Sequence, residues 1–158
     1  ALVQMASINP PGNEQRICEY LLPLLQEVGF YTELHPFAQG RTNLVATLPA
    51  TNRQSPTLVF SGHVDTVPLG AAPWLVRPLS GEIEGDRLYG RGSSDMKGGV
   101  AAMIAAFAFS FALLLTLSTL RHCFVRHRAI MNFVSAVTSL KTLVALVSAS
   151  VIPARPIT

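Results

Sequence analysis

Apolar residues recur at helical spacing in one early stretch, where Ile17, Leu21, Leu24, Leu25 and Val28 repeat with Tyr20 on the same side. The breaker cluster Pro10-Pro11-Gly12-Asn13 stands before it. Asn13 suits the N-cap, Glu14 the first turn and Gly29 the C′ position. Pro23 falls inside the pattern and should kink the helix or end it early. The period then shortens, and Phe30 to His35, Asn43 to Leu48 and Thr57 to Ser61 read as extended runs. The last, Thr-Leu-Val-Phe-Ser, follows a proline and precedes a glycine, as a buried strand would. Glu82 to Tyr89 reads as a hairpin turning at Gly85-Asp86, and from Met96 onward the pattern is helical. A helix, several strands and a helix predict an α/β layer fold.

From Gly98 to Leu120 the chain carries no charge over 23 residues. That length suits either a transmembrane helix, with Arg121, Arg126 and Arg128 behind it, or a short core helix running on into unrelated apolar sequence. Residues 129–153 are again mostly apolar, interrupted by Lys141.

Charge divides the 158 residues in two. Residues 1–96 hold all nine acidic residues and six basic ones, a net of −3; residues 97–158 hold six basic residues and no acidic one. The excess of positive charge therefore belongs to the tail and predicts no nucleic-acid partner. Average composition would put about seven acidic residues in a stretch of that length. Two cysteines, Cys18 and Cys123, fit neither a metal spacing nor a disulfide framework, so a reducing cytoplasm is expected. No signal peptide is read, and the start at Ala1 reads as a cut into a longer open chain.

Candidate chemistry gathers in two motifs. In Ser61-Gly62-His63-Val64-Asp65-Thr66-Val67-Pro68 the extended run delivers His63 at its carboxyl end, where ligands gather in open α/β sheets. Residues i and i+2 of an extended segment point the same way, so Asp65 is placed to accept a hydrogen bond from the second ring nitrogen of His63. A surface histidine beside a solvated aspartate fits that motif taken alone equally well. In Gly90-Arg91-Gly92-Ser93-Ser94-Asp95-Met96-Lys97-Gly98-Gly99, Asp95 stands just before a helix start, either as an N-cap or as a carboxylate able to bridge two metals. The same motif lacks the third glycine of a dinucleotide loop, the ending of a P-loop and the nucleophile elbow that Ser93 or Ser94 would need. Lys97 reads as a solvated helix residue, His35 as a surface residue, Cys18 as packing and Trp74 as a loop anchor or pocket wall. His122 and His127, five apart, sit on poorly matched helix faces.

Taken together, His63 and Asp65 in their motif, then Trp74 and Pro78, then Leu88-Tyr89 leading to Asp95-Met96-Lys97-Gly98-Gly99, resemble the M20 peptidase group. That group includes acetylornithine deacetylase, succinyl-diaminopimelate desuccinylase and aminoacylase. Asn9-Pro10-Pro11-Gly12-Asn13-Glu14 and Gly40-Arg41-Thr42-Asn43-Leu44 are similar to it as well, and the likeness runs to about Ala106. The resemblance implies a partial mixed-sheet catalytic domain of a zinc aminopeptidase-like hydrolase over residues 1–106. An apolar helical tail, foreign in character, would follow over 107–158. It implies a zinc pair, or cobalt, with His63 and Asp95 as metal ligands, Asp95 bridging, and Asp65 as the catalytic-site residue that orients His63. The implied substrate is an N-acyl amino acid or small peptide cleaved at its amide bond. Substrate-binding residues are not implied by any motif.

The tail departs from the family. The resemblance calls next for a Glu-Glu pair, a further acidic ligand and a late histidine, and residues 97–158 contain no carboxylate side chain. The chain is also too short for the dimerisation domain through which complete members form homodimers. A shifted reading frame or disrupted gene accounts for such a tail. The chain is expected to be inactive, with residues from about 107 onward packing poorly and favouring a membrane or aggregation.

Overall fold

The computed structural model describes residues 1–49, 56–123 and 142–148. After a short 3-10 turn at Leu2–Gln4, helix α1 spans Glu14–Glu27. Asn13 takes the N-cap position without a side-chain cap bond; instead the Gln15 amide donates to Gly40 O at 3.0 Å and ties the helix start to the following hairpin. The other end closes as the sequence predicts. Gly29 takes φ 87°, its amide donates to Gln26 O, and the Phe30 amide donates to Leu25 O. This is the paired C-terminal closure in which a glycine supplies the left-handed turn, with Phe30 packing back on Leu25 in the core.

Two expectations for α1 need correction. The helix does not end early but continues through Pro23. Pro23 and Glu19 are both exposed, so the carbonyl that loses its amide partner faces water. The buried face is Ile17, Cys18, Leu21 and Leu25, whereas Tyr20 is 39% and Leu24 37% exposed. The stripe is one residue wide of the predicted one because Cys18, and not Tyr20, turns towards the sheet.

Strand β1 (Tyr31–Ala38) pairs antiparallel with β2 (Arg41–Pro49) across a tight turn at Gly40. Strand β3 (Thr57–His63) ends on the histidine of the first motif, but it is not the buried strand expected: Leu58 is 39% and Val59 57% exposed. Strands β4 (Ile83–Glu84) and β5 (Arg87–Leu88) form the predicted small hairpin, with Gly85 at φ 61°. Helix α2 spans Gly98–Cys123, and β6 spans Thr142–Ser148. The main sheet has the order β1-β2-β6-β3, with β6 antiparallel to β2 and parallel to β3, so the expected mixed α/β sheet is present.

The expectation of an apolar helical tail is corrected by β6. Thr142-Leu-Val-Ala-Leu-Val-Ser148 is a central strand, its register running from Thr142 opposite Thr57 to Ser148 opposite His63. An uncharged seven-residue run with β-branched positions suits a strand paired on both sides, and periodicity alone does not separate such a run from helix. Among the described residues no helix is long and apolar enough to cross a membrane. The first part of the uncharged run serves packing instead: Val100 is fully buried and Phe107 is 6% exposed, with Met103 and Ile104 packed against the same core. Phe107 stands edge-on to Phe60 at 5.2 Å and tilted on Phe30 at 5.5 Å. It therefore lies inside the core, although it opens the stretch expected to pack poorly. Arg126, His127, Arg128 and Lys141 lie outside the described residues.

Both helices contribute to one core. On β2, Thr42, Leu44 and Ala46 are buried in strict alternation, and they meet the α1 face and Val100 of α2. Each fully buried Leu or Ile contributes about 1.5–3 kcal/mol. Gly62 is what lets α2 reach β3, since a Cβ there would stand 2.9 Å from Met103 Cε and 3.1 Å from Val100 Cγ2. Cys18, fully buried, donates its thiol to Thr42 O at 3.2 Å, and burial followed by the charge of Glu14 pushes its pKa up to about 12. Thiolate is then roughly a thousandfold scarcer than on an unfolded chain near neutral pH. Thiol labelling followed by peptide mass spectrometry is expected to leave Cys18 unmodified in the native chain and to modify it readily in denaturant; fast native labelling would contradict this burial.

Candidate metal centre

The site is built where β3 ends. His63 is the last residue of β3, and the chain leaves the sheet through Val64, Asp65 and Thr66. The amino-terminal segment is laced to that exit. Ile8 bridges Thr66 in parallel, Asn9 N donates to Thr66 O at 2.8 Å, Thr66 N donates to Ser7 O at 2.9 Å, and Ser7 Oγ donates to Val64 O at 2.6 Å. The exit loop is thereby fixed by backbone bonds on both sides.

Asp95 arrives from the second motif. Gly92 holds φ 83°, and a Cβ there would stand 2.7 Å from Thr66 Cγ2, so the turn Ser93–Lys97 packs directly on the His63 loop. Inside that turn Asp95 is extended, at φ −126° and ψ 97°, and helix α2 starts only at Gly98. The carboxylate is thus aimed across at His63 rather than along the helix.

The structure brings the three predicted site residues together. His63 Nε2 lies 3.0 Å from Asp95 Oδ1, and His63 Nδ1 lies 3.0 Å from Asp65 Oδ1. Asp65 is 2% exposed, while the Asp95 side chain is 86% exposed, so one aspartate is structural in setting and the other open. Partial burial disfavours the charged imidazole, but the bond to Asp95 and the contacts with Asp65 outweigh it, and the His63 pKa stands above the ordinary histidine value. A cleft of about 360 Å³ opens over this pair, walled by Thr66, Val67, Trp74, Arg91, Ser93 and Ser94. Trp74 serves as both anchor and wall: its Nε1 donates to Leu69 O at 3.1 Å, and the Arg91 guanidinium stacks 4.9 Å from its ring.

Zinc takes nitrogen, sulfur and carboxylate ligands with bonds of about 2 Å, so two donors on one ion stand roughly 3–3.5 Å apart. His63 Nε2 and Asp95 Oδ1 are of the right chemistry and nearly at that spacing. They are two of the four donors such an ion takes, and among the described residues no group of three or more His, Cys, Asp or Glu could hold a metal. His35 is away from the site, exposed, with Nε2 3.8 Å from Glu33, as a surface residue is expected to be. The side chain of His122 and the whole of His127 lie outside what is described.

Sequence reasoning misread one residue near the site and passed over another. Lys97, expected to be solvated, is 1% exposed; its Nζ donates to Met5 O at 2.7 Å, and burial, partly offset by Asp65, lowers its pKa to about 8. The stem of Lys97 lies under Gly92, so the loop closes over it. Asn9, buried, donates from Nδ2 to Asp65 Oδ2 at 3.0 Å. Its only sequence signal was membership of the Asn-Pro-Pro-Gly-Asn-Glu run.

The profile described as peptidase family M20/M25/M40 matches residues 59–122. Succinyl-diaminopimelate desuccinylase of Methylorubrum populi is 44% identical over 108 residues, 67% of this chain and 27% of the relative. The enzyme of the same name from Rhodospirillum centenum is 42% identical over 107 residues, 66% of this chain and 27% of that protein. Two solved structures share the fold: an M20 family metallo-carboxypeptidase from Sulfolobus solfataricus (24% identity, TM-score 0.65, covering 94% of this chain and 29% of that one) and human carnosine dipeptidase 1 (21% identity, TM-score 0.62, covering 93% and 30%). With the histidine and both aspartates of the two motifs converging at the end of β3, on a partial α/β fold of that kind, the chain belongs to the M20 peptidase family and spans 27% of the length of the curated relatives it matches.

Proposed function

We propose that this chain carries the amino-terminal half of a metal centre for hydrolysis of the amide bond in an N-acyl amino acid, with an N-succinyl amino acid as the favoured substrate class. The observation that carries the reading is the His63–Asp95 pair at 3.0 Å, backed by Asp65 on the other ring nitrogen. The substrate class rests on the names of the relatives, both succinyl-diaminopimelate desuccinylases. When bound in such a centre, a zinc or cobalt ion acidifies water and polarises a carbonyl.

The chain's own residues have definable parts. Asp65 holds Nδ1–H, so that loss of the Nε2 proton shared with Asp95 would leave the Nε2 lone pair of His63 for a metal, and Asp95 brings negative charge to the open side. The cleft wall of Trp74 and Arg91 borders the space where a substrate would lie. The reading includes a cytoplasmic setting, in keeping with Cys18 as a free buried thiol.

With two donors among the described residues and no carboxylate side chain after Asp95, the sequence supplies no carboxylate general base beyond the two motifs. General-base catalysis is typically worth 10² to 10⁴-fold. The chain is therefore expected to hydrolyse N-succinyl and N-acetyl amino acids negligibly, even with added zinc. The check is a product-amine assay on the purified chain beside His63→Ala. Turnover that disappears in that variant would show a complete centre and overturn the proposal that the chain carries only half.

A further inference from the structure

His63 Nδ1 meets Asp65 twice, at its backbone O (3.2 Å) and at its carboxylate (3.0 Å), and the carboxylate contact lasts only if that group is itself held, by support from outside both motifs. Asp65 is buried, and its oxygens include these contacts: Oδ1 lies 3.0 Å from His63 Nδ1, and Oδ2 accepts from Asn9 Nδ2 at 3.0 Å. Rotation about the last side-chain bond is the freedom a buried carboxylate keeps, and it is broad in aspartate. A donor on the far oxygen removes it. Asn9 is well placed for this because its own backbone is fastened to the same loop, through Asn9 N to Thr66 O at 2.8 Å and the flanking bonds of Ser7. The donor is an uncharged amide, so it orients the carboxylate without competing with the ring for it as a cation would.

We propose that Asn9 is a positioning residue for the metal centre, acting through Asp65 to keep Nδ1–H of His63 engaged and Nε2 directed at Asp95. The proposal rests on the reading of His63 as a metal ligand, but part of its test does not. Loss of a residue bonded directly to a ligand costs about 10- to 100-fold in metal affinity. Asn9 acts one bond further out, so roughly a tenfold loss is expected.

The experiment uses the full chain with Asn9→Ala and Asn9→Leu, the second keeping most of the volume while removing the donor. Two readouts are taken on folded protein. One is the proton resonance of the hydrogen-bonded His63 Nδ1–H, recorded without metal. The other is affinity for Zn²⁺ alone. Both variants are expected to shift or lose the downfield Nδ1–H signal and to bind Zn²⁺ about tenfold more weakly. A folded Asn9→Leu chain with the wild-type ring signal and an affinity within twofold of wild type would overturn the proposal. A role confined to stability would lower the melting temperature and leave both readouts in place. If neither variant folds, hydrogen exchange of the Asn9 side-chain amide in the wild-type chain decides: slow exchange supports the bond to Asp65, and free exchange overturns it. If wild-type Zn²⁺ binding is insensitive to His63→Ala, the metal reading fails, while the Nδ1–H signal still reports on Asn9.

Discussion

A chain that stops at Ala106 is expected not to fold. The sequence alone suggests the opposite, since the resemblance read from its motifs runs to about Ala106 and the remainder is a basic, acid-free stretch, although the family profile matches on to residue 122. The structure reverses this. Phe107 joins Phe30 and Phe60 in the core, and β6 is the strand that joins β2 to β3. Without it the four-stranded sheet becomes a β1–β2 hairpin and a lone β3, each with an open edge, and an isolated hairpin is marginal at best. Phe to Ala at a core site alone costs about 3–5 kcal/mol, a large fraction of the 5–15 kcal/mol that holds a typical domain. Far-ultraviolet circular dichroism and urea denaturation of residues 1–106 beside 1–158 test this. The short chain should show no cooperative transition. A soluble, cooperatively unfolding 1–106 would mean that β6 contributes nothing.

The second large effect is expected at Arg41. Glu14 is fully buried, and Arg41 grips it with two bonds, Nη2 to Oε1 at 2.7 Å and Nε to Oε2 at 3.1 Å. The guanidinium also lies 5.3 Å from the Phe37 ring. The hydrogen bond to Glu14 raises the Arg41 pKa against the opposing effect of burial. Removing one partner of a buried pair leaves an uncompensated charge and costs about 3–5 kcal/mol. Arg41→Met is therefore expected to lower stability by that amount. The double variant Glu14→Leu with Arg41→Met is expected to recover much of it, because the buried charge goes too. A denaturation series in which the single and double variants are equally destabilised would show that the charge imbalance is not the cause. The pair joins the α1 start to β2, and so shares in placing the segment that carries Asn9.

Much of the local structure was legible because local signals sufficed. Gly29 predicts the closure of α1, Gly85-Asp86 the small hairpin, and the short β-rich run the strand that presents His63. The approach of Asp65 to the His63 ring follows from strand geometry alone. The approach of Asp95 was legible only through the joint motif, because it depends on Gly92 letting one loop settle on another. Long-range partners were not legible. Glu14 and Arg41 are 27 positions apart, Lys97 and Met5 are 92 apart, and Asn9 and Asp65 are 56 apart. No periodicity encodes such pairs. Lys97 was misread because a lysine near a helix start is ordinarily solvated, whereas here Gly92 lies over its stem and Met5 O accepts from its Nζ. The strand β6 was missed because its five apolar residues, between Thr142 and Ser148, carry no period that distinguishes strand from helix.

The central claim is that His63 and Asp95 form one half of a metal centre, and titration of the full chain with Zn²⁺ tests it most directly. The ring proton competes with metal at Nε2, and the His63 pKa is raised, so binding should strengthen as pH climbs above the ordinary histidine range. Calorimetry at mildly alkaline pH is expected to show one weak site that is lost in His63→Ala and in Asp95→Ala and kept in His35→Ala. Zinc binding that survives both of the first two substitutions unchanged would contradict the account.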